Sequence, residues 1–252
     1  MRPLFSAEGE ADLAALVARR PLLAFDFDGT LAPIVAQPQQ ARVPIATLRR
    51  LRQLGQRLPV AVISGRSLAD LRSRLGFEPA HVVGSHGAED PHQPATWSMM
   101  LDGVRERLRS AATELQRCGV SIEDKGASLA LHYRLAADRS IARAAIDRLL
   151  SPPQPQLHVF GGKMVTNVVP AGADDKAAAL RRLVERTGAG AVLYLGDDVN
   201  DEPVFAAGEA SWLSVRVGVH RGSAARYFIA GPREVPRLLD RILELAEAPP
   251  RT

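Results

Sequence analysis

The sequence predicts an α/β protein with a doubly wound, mostly parallel sheet and a small α+β domain inserted into it. Two observations support this fold class. Residues 1–92 and 170–252 alternate short apolar runs with amphipathic helical segments, which is the order that βαβ units produce. Residues 93–169 instead contain pairs of adjacent strand-like segments, which is typical of an antiparallel sheet. We therefore expect a core domain formed by 1–92 and 170–252, and an inserted domain formed by 93–169.

The first part of the core alternates helices with strands. Each strand is an apolar run of the length expected for a buried strand, and each helix follows a capping residue or a proline. Ser67 and Asp70 have the spacing of a capping box, in which each side chain binds a backbone N–H of the other residue. The predicted strands are 22–25, 60–63 and 81–83, and the predicted helices follow Ser6, Pro44 and Ser67.

The middle of the chain has a different pattern, and the original alternation returns after Pro170. Two hairpins are expected because strand-like segments are joined through glycines. The inserted domain is predicted to contain helices at 98–117 and 138–150, and strands at 120–123, 129–134, 157–160 and 164–169. The returning core is predicted to contain helices at 174–186 and 235–246, and strands at 191–195 and 212–217.

Composition excludes several classes of protein. The 46% hydrophobic and 24% charged residues are typical of a globular protein, and a net charge of +4 suits an anionic metabolite. No basic block with interleaved aromatic residues is present, so nucleic acid is not expected as a partner. No apolar run reaches the length of a signal peptide core or a membrane span, and Cys118 is the only cysteine. We expect a cytoplasmic protein, a monomer, without a membrane partner.

A pair of carboxylates directly follows the first predicted strand. Strand alternation would send Asp26 and Asp28 to the same side, with Phe27 between them pointing into the core. Two carboxylates so close repel each other unless a cation lies between them, and Mg²⁺ prefers such oxygen ligands. Gly29 permits a sharp turn, and Thr30 offers a hydroxyl to a substrate oxygen. On its own, this motif fits an acidic turn equally well.

Two further polar clusters follow other predicted strands, and this convergence favours the functional interpretation. Ser64 follows the strand 60–63, and Asp197, Asp198 and Asp201 follow the strand 191–195. Because open α/β sheets bind ligands at the carboxyl ends of their strands, we expect these side chains to meet there. Lys176, at the start of a predicted helix, can reach the same edge. This set suits a phosphoryl group held beside Mg²⁺ and attacked by a carboxylate.

These motifs resemble those of the haloacid-dehalogenase (HAD) superfamily of phosphatases. Its four motifs correspond here to Asp26-Phe27-Asp28-Gly29-Thr30, Ser64, Lys176 and Gly196-Asp197-Asp198-x-x-Asp201. Within that superfamily the chain is similar to trehalose-6-phosphate phosphatases over nearly its whole length. The matching segments are Ser64-Gly65-Arg66, His86-Gly87-Ala88-Glu89, Glu123-Asp124-Lys125-Gly126, Leu131-His132-Tyr133-Arg134, Gly162-Lys163 and Gly196 to Glu202. The resemblance implies a Rossmann-like core and an inserted cap that determines substrate specificity.

The resemblance also implies roles for the core residues. Asp26 would be the nucleophile that forms an aspartyl-phosphate, and Asp28 would protonate the departing sugar oxygen and later activate water. Mg²⁺ would be held by the Asp26 carboxylate, the Asp28 carbonyl and Asp197, with Asp201 acting through water. The phosphate oxygens would be held by Thr30, Ser64 and Lys176. The implied activity is hydrolysis of trehalose 6-phosphate, the last step of trehalose biosynthesis.

For the cap, the resemblance implies sugar contacts by Glu123, Lys125, Arg134 and Lys163. Glu123 and Lys125 would project from one face of a strand if that strand extends far enough. One position departs from the family, because Asn167 stands where a glutamate is usual. Asn167 is still expected at the sugar, and this departure leaves open a sugar phosphate other than trehalose 6-phosphate.

Several alternatives stay open at this point. Arg66 is expected to contact the substrate, although it could instead pair with a carboxylate. The chain could act on another sugar phosphate, or could be a catalytically silent sugar-phosphate-binding subunit of a synthase assembly. The intact set of acid, nucleophile and lysine argues against silence. The sequence does not assign roles to His86, Glu89, His132 and Asp198.

Overall fold

A computed structural model of the chain describes residues 1–92, 98–172 and 175–247. The chain divides into two compact units. The core unit comprises Met1–Asp90 and Asp175–Thr252, and the inserted unit comprises Pro91–Asp174. The predicted fold class is confirmed, because one unit contains a parallel sheet between helices and the other a small antiparallel sheet.

The strands and helices are numbered in chain order. The strands are β1 Arg2–Pro3, β2 Leu22–Phe25, β3 Val60–Ile63, β4 His81–Val83, β5 Ser121–Asp124, β6 Leu129–His132, β7 Leu157–Gly162, β8 Val165–Pro170, β9 Val192–Gly196, β10 Trp212–Val217 and β11 Tyr227–Ile229. The helices are α1 Ala7–Val17, α2 Ile45–Gly55, α3 Leu68–Leu75, α4 Asp102–Ser110, α5 Ala112–Arg117, α6 Arg139–Leu150, α7 Lys176–Thr187, α8 Glu202–Phe205 and α9 Val235–Glu247.

The core unit contains a seven-stranded sheet in the order β1-β11-β10-β9-β2-β3-β4, and every neighbouring pair is parallel. Strand β2 lies between β9 and β3, with Phe25 in register with both Leu195 and Val62. All residues of these three strands are buried. Their carboxyl ends therefore lie side by side, and the segments that leave them start close together.

Alternation along β2 divides the apolar core into two layers. Leu23 and Phe25 pack in the layer that α1, α2 and α9 cover, whereas Leu22 and Ala24 pack in the layer beneath α7. Side chains of a strand alternate between faces, so one strand supplies both layers. The central strands are thereby fixed from both sides, which holds the ends that carry the polar motifs.

Most predicted caps are present, but the capping box at α3 is only half formed. The Ser67 hydroxyl accepts a hydrogen bond from the Asp70 N–H, as predicted. The Asp70 carboxylate, however, binds the guanidinium groups of Arg66 and Arg74. Charged donors compete successfully for a carboxylate because charge-assisted hydrogen bonds are stronger than neutral ones.

The inserted unit contains an antiparallel sheet in the order β5-β6-β8-β7. Helices α4, α5 and α6 pack through one apolar cluster with alternate residues of the sheet, such as Leu129 and Val168. The single helix predicted for 98–117 is wrong: a 3-10 turn at Ser98–Leu101 precedes α4, and Ala111 (φ −95°, ψ 4°) separates α4 from α5.

The prediction from the sequence lacks two short strands, β1 and β11. Strands β1 and β11 have two and three residues, too few to show a period of alternation. They extend the sheet beyond β10 through parallel pairs. Among the described residues, no helix combines the length and apolar character needed to cross a membrane.

Candidate active site

The carboxyl ends of three adjacent strands carry the predicted core motifs. Asp26 directly follows β2, Ser64 follows β3 and Asp197 follows β9. The Asp26 N–H continues the sheet by donating to the Leu195 carbonyl (2.9 Å), and the Ser64 N–H donates to the Val83 carbonyl (3.0 Å). All three side chains are buried. The backbone hydrogen bonds of the sheet therefore position each motif at the point where its strand ends.

Lys176 connects two of the buried carboxylates. It is the first residue of α7, and its ammonium lies 2.7 Å from Asp26 Oδ1 and 2.6 Å from Asp201 Oδ1. Burial acts to lower the pKa of Lys176, but Asp201 and Asp26 outweigh it and hold that pKa well above its usual value. Lys176 is therefore a permanent cation at neutral pH.

The pKa of Asp26 is shifted mainly by the burial of its carboxyl group. Burial raises the pKa of its carboxyl well above the usual value, Lys176 opposes that shift, and Asp201 and Asp197 add to it. Three ionised carboxylates beside a single ammonium would leave two negative charges without compensation in a buried place. Such an arrangement favours an additional positive charge.

Asp201 is the acceptor at the centre of this network. Its Oδ1 also accepts from the Tyr194 hydroxyl (2.7 Å), and its Oδ2 accepts from the N–H groups of Asp197 and Asp198 (2.9 Å each). The side chain of Asp201 is fully buried. Asp201 thus organises the turn after β9 and holds Lys176, in addition to the metal-supporting role expected of it.

The structure offers one group of acidic residues that could hold a metal ion among the described residues. One oxygen from each of Asp26, Asp197 and Asp201 lies within 4.8 Å of the others. Carboxylate oxygens are the ligands that hard divalent cations prefer. The donor set and its excess of negative charge therefore fit a divalent cation.

The Asp28 carboxylate is not part of this acidic group, and Arg66 binds it. The Nε and Nη2 groups of Arg66 donate to the two Asp28 oxygens, each at 2.7 Å. Arg66 also donates to Asp70 (2.7 Å) and to the Pro38 carbonyl (2.9 Å), and it lies over the Phe27 ring. Arg66 therefore pairs with carboxylates, which is one of the two alternatives left open by the sequence. The expected contact between Arg66 and the substrate stays a prediction.

The two residues whose hydroxyls are expected at the phosphate, Thr30 and Ser64, are both buried. Thr30 is 3% exposed, and within the described residues its hydroxyl has no hydrogen-bond partner. The Ser64 hydroxyl accepts from the Arg66 N–H (3.2 Å) and is 1% exposed. A buried hydroxyl without a partner costs free energy unless a ligand binds it, so Thr30 suits an oxygen-rich ligand.

A strained turn supports the segment that carries Ser64. Ser85 (φ 48°) and His86 (φ 60°) are both in the left-handed region, which non-glycine residues rarely adopt. The His86 ring packs so tightly on Gly65 that a Cβ there would lie 2.3 Å from it. Glu89 accepts from the Ser85 hydroxyl (2.9 Å) and from the Leu68 N–H (2.5 Å). His86 and Glu89 therefore both stabilise this turn.

Five of the predicted sugar-contact residues lie in the inserted unit, whereas Arg66 lies in the core unit. Glu123 Oε2 lies 2.8 Å from His132 Nε2 and 3.7 Å from Lys125 Nζ. Strand β5 ends at Asp124, so Lys125 is one residue past it, yet its ammonium still reaches Glu123. Asn167 shares a sheet face with Glu123, because both are in register with Ala130.

The remaining two residues predicted at the sugar meet at the β7–β8 hairpin. The Arg134 guanidinium donates to the Lys163 carbonyl at 3.3 Å. The structure thus groups Asp26, Asp197, Asp201 and Lys176 in one cluster of the core unit, and Glu123, Lys125 and Asn167 on or beside one face of the inserted unit.

Sequence reasoning missed two residues of the core network, Tyr194 and Arg216. Tyr194 is buried inside β9 and binds Asp201; burial raises the pKa of its hydroxyl well above the usual value. Arg216 is 6% exposed and donates to the carbonyls of Asp197 (2.7 Å) and Asp198 (3.3 Å). The available signal was their polarity inside apolar strands that end beside the motifs.

The chain is similar to proteins of known family. Residues 24–231 match the family model described as trehalose-phosphatase. The chain is 33% identical over 262 residues to the trehalose-phosphate phosphatase of Mycobacterium tuberculosis, covering 97% of this chain and 66% of that protein. It is 36% identical over 254 residues to an uncharacterized glycosyl hydrolase of the same species, covering 92% of this chain and 19% of that protein. The chain thus spans less than two thirds of either relative.

A solved structure supports the same assignment of fold. The C-terminal domain of the trehalose-6-phosphate phosphatase of C. albicans superposes with a TM-score of 0.80 at 22% sequence identity, covering 97% of this chain and 99% of that chain. At this identity the likeness concerns the fold alone. The family model, in contrast, spans the motifs of both units, from the strand before Asp26 to the segment after β11. The chain therefore belongs to the trehalose-phosphatase family.

Proposed function

We propose that the chain is a phosphatase that hydrolyses trehalose 6-phosphate to trehalose and phosphate, with Mg²⁺ as its cofactor and an aspartyl-phosphate as its intermediate. The observation that carries this proposal is the buried Asp26–Lys176–Asp201 network beside Asp197. A protein that only binds a sugar phosphate has no need of a carboxylate buried against a lysine at a strand end. The protein is proposed to act in the cytoplasm as a monomer.

Asp26 is proposed as the nucleophile. Its oxygen forms a bond to phosphorus while the bond between phosphorus and the sugar oxygen breaks. Two anions repel each other, so the attack needs nearby positive charge. Lys176, 2.7 Å from Asp26 Oδ1, supplies part of that charge and fixes the carboxylate in place. Lysine and cation clamps of this kind are the main catalytic device in phosphoryl transfer.

Asp28 is proposed as the general acid and base. It gives a proton to the departing sugar oxygen, and as a carboxylate it then takes a proton from the water that attacks the phospho-aspartate. That second step releases phosphate and restores Asp26. Arg66 donates to both Asp28 oxygens (2.7 Å each), which fixes the orientation of this carboxyl group.

The remaining core residues are proposed to hold the phosphate and the metal. Thr30, Ser64 and Lys176 would bind phosphate oxygens. Asp26, the Asp28 carbonyl, Asp197 and Asp201 would hold Mg²⁺, which when bound supplies positive charge that stabilises the transition state. The buried acidic cluster supports a divalent cation in general, and the hardness of its oxygen ligands is the argument for Mg²⁺.

Recognition of the sugar is assigned to Arg66 and to the inserted unit. The residues proposed to bind sugar hydroxyls there are Glu123, Lys125, Arg134, Lys163 and Asn167. Charged groups form strong hydrogen bonds with hydroxyls, and His132 holds Glu123 in position for them (2.8 Å). Asn167 in place of the usual glutamate favours a second candidate, the same reaction on another sugar phosphate.

A phosphate-release assay over several sugar phosphates, with Mg²⁺ or with EDTA, tests these proposals. A monosaccharide phosphate lacks the second ring, and each lost charged hydrogen bond costs roughly 1.5–3 kcal/mol. Two such losses predict that kcat/KM favours trehalose 6-phosphate over glucose 6-phosphate by about a hundredfold or more. Activity should require Mg²⁺, and Asp26→Asn should have none.

The other outcomes separate the candidates. A similar kcat/KM for both sugars would reduce the assignment to a general sugar phosphatase. A strong preference for a third sugar phosphate would support the second candidate. Absence of phosphate release from every compound, by a folded protein supplied with Mg²⁺, would instead indicate a silent binding subunit.

A further inference from the structure

The turn after β9 is held by two side chains of opposite charge. Asp201 Oδ2 accepts hydrogen bonds from the N–H groups of Asp197 and Asp198, both at 2.9 Å. Arg216 donates to the carbonyl oxygens of the same two residues, through Nη2 to Asp197 (2.7 Å) and through Nη1 to Asp198 (3.3 Å). The peptide group that joins Asp197 to Asp198 is therefore held at its N–H end and at its C=O end.

Arg216 reaches this position because of the sheet register. It is the fifth residue of β10 and lies in register with Gly196, the last residue of β9. Its guanidinium is fixed in turn by Glu202, whose Oε1 lies 2.6 Å from Nη1 and whose Oε2 accepts from the Ala224 N–H (2.9 Å). Arg216 is 6% exposed, so its hydrogen bonds are formed away from bulk water.

We propose that Arg216 is a positioning residue that presents the Asp197 carboxylate for divalent metal binding. It does not touch the proposed metal site; it fixes the backbone from which Asp197 extends. A loop that is already ordered loses less conformational entropy when a ligand binds, so the clamp raises metal affinity. Groups one step removed from a metal typically contribute 10–100-fold to metal affinity. The proposal rests on the proposed function only in assuming that the acidic cluster binds a divalent cation.

Charge and geometry make opposite predictions at this position. The positive charge of Arg216 repels a divalent cation, so its removal would strengthen metal binding if charge alone mattered. If the clamp matters, the same removal weakens binding. Arg216→Gln distinguishes the two by the sign of its effect. Arg216→Lys keeps the charge but cannot form the planar fork that spans two carbonyls and Glu202, so it isolates the geometry.

The experiment is a titration of the substrate-free proteins with Mn²⁺ followed by EPR, repeated in competition with Mg²⁺. We expect Arg216→Lys and Arg216→Gln to weaken binding about tenfold or more. Arg50→Lys serves as the matched control, because Arg50 also forms a two-bond pair, with Asp240, between α2 and α9. This control should bind metal like the wild type, even if its melting temperature falls.

Folding of each variant is checked by circular dichroism before titration. If neither Arg216 variant folds, Glu202→Asp replaces them, since it keeps every charge while shortening the side chain that holds Arg216; it too should weaken binding. Wild-type affinity in folded Arg216→Lys, whatever its melting temperature, overturns the inference and leaves the proposed function intact. Absence of Mn²⁺ and Mg²⁺ binding by the wild type would overturn both.

Discussion

Gly29 and Asp197 approach each other so closely that no side chain fits between them. A Cβ built on Gly29 would lie 2.1 Å from Asp197 Oδ2, and Gly29 has a φ of 84°. The turn after Asp28 therefore needs glycine twice, once for its backbone conformation and once for its size. This contact fixes how near the turn after β2 comes to the turn after β9.

We predict that Gly29→Ala removes most phosphatase activity and divalent metal binding. The added methyl group must displace the Asp197 carboxylate or the turn, and both carry proposed metal ligands. Gly188→Ala is the matched control: Gly188 also has a positive φ (66°), but among the described residues no atom other than those of its chain neighbours lies within 4 Å of its Cβ position. That variant should lose about 1 kcal/mol of unfolding free energy and keep its metal affinity. Equal metal affinity in both variants would show that the close contact is unimportant.

Lys176 offers a test of the buried network. Lys176→Met keeps a similar length but leaves Asp26 and Asp201 without their shared cation. Breaking a buried ion pair by removing one partner typically costs 3–5 kcal/mol, because the remaining charge is uncompensated. We predict a loss of about that size in the free energy of unfolding, measured with denaturant in EDTA, together with loss of turnover.

The control for Lys176→Met is Arg50→Met, which breaks a partly exposed pair with Asp240. Such pairs typically contribute about 0–1 kcal/mol. If Lys176→Met were as stable as this control, the ammonium would not be needed to hold the two carboxylates together.

How far the sequence predicts this structure depends on the kind of feature. Strands such as β2 and β10 were predicted with their observed bounds, because a run of apolar residues between turn signals is a local property. The break between α4 and α5 at Ala111 was not, since apolar residues on both sides keep a helical spacing and the sequence has no glycine or proline there.

In the site, too, some features follow from the local sequence and others depend on the folded chain. Residue types and strand ends indicated that Asp26, Lys176 and Asp201 would meet, but hydrogen-bond partners depend on register and side-chain direction. The sequence gives no reason for Arg216 to bind two carbonyls instead of facing solvent, because that contact follows from its register with Gly196. Likewise, Asp70 has the spacing of a capping residue, and only the folded chain places Arg66 and Arg74 within its reach.

Asp70 makes the stability of the core unit depend on pH. Burial acts to raise the pKa of its carboxyl, but hydrogen bonds from Arg74 and Arg66 outweigh it and hold the pKa below the usual 3.8. A carboxyl whose pKa is lowered on folding stabilises the protein above its unfolded pKa, and that contribution is lost as the pH falls through the folded value.

We therefore predict that Asp70→Asn is less stable than the wild type at pH 7, and that the difference shrinks as the pH falls below about 4. The Asp70 side chain is 26% exposed, so solvent screening limits the difference to about 1–2 kcal/mol. Asp147→Asn, whose Arg143 partner lies 4.0 Å away on an exposed helix face, is the control and should change stability little. Urea unfolding at several pH values measures both, and a difference that grows towards low pH would contradict the assignment.

Asn167 is the position at which stability and sugar recognition should conflict. It is 3% exposed, and within the described residues its Nδ2 has no hydrogen-bond partner. A buried donor without a partner costs about 1–3 kcal/mol, so a protein selected for stability alone would not keep it. On the same sheet face, the small side chain of Ala130 separates Asn167 from Glu123, in one row across three strands.

We predict that Asn167→Leu, whose side chain has the same number of heavy atoms and the same branching, leaves the free energy of unfolding unchanged or raises it by up to about 1 kcal/mol, because the unsatisfied donor is removed. The same variant should lower kcat/KM for trehalose 6-phosphate by about tenfold, the worth of roughly one hydrogen bond, and leave hydrolysis of a small aryl phosphate near the wild-type rate. Thr166→Val is the matched control, since Thr166 is a buried neighbour on the opposite face of β8 and should affect neither substrate selectively. Loss of stability without loss of sugar preference would show that Asn167 serves the packing of the sheet, and equal losses on both substrates would remove it from sugar recognition.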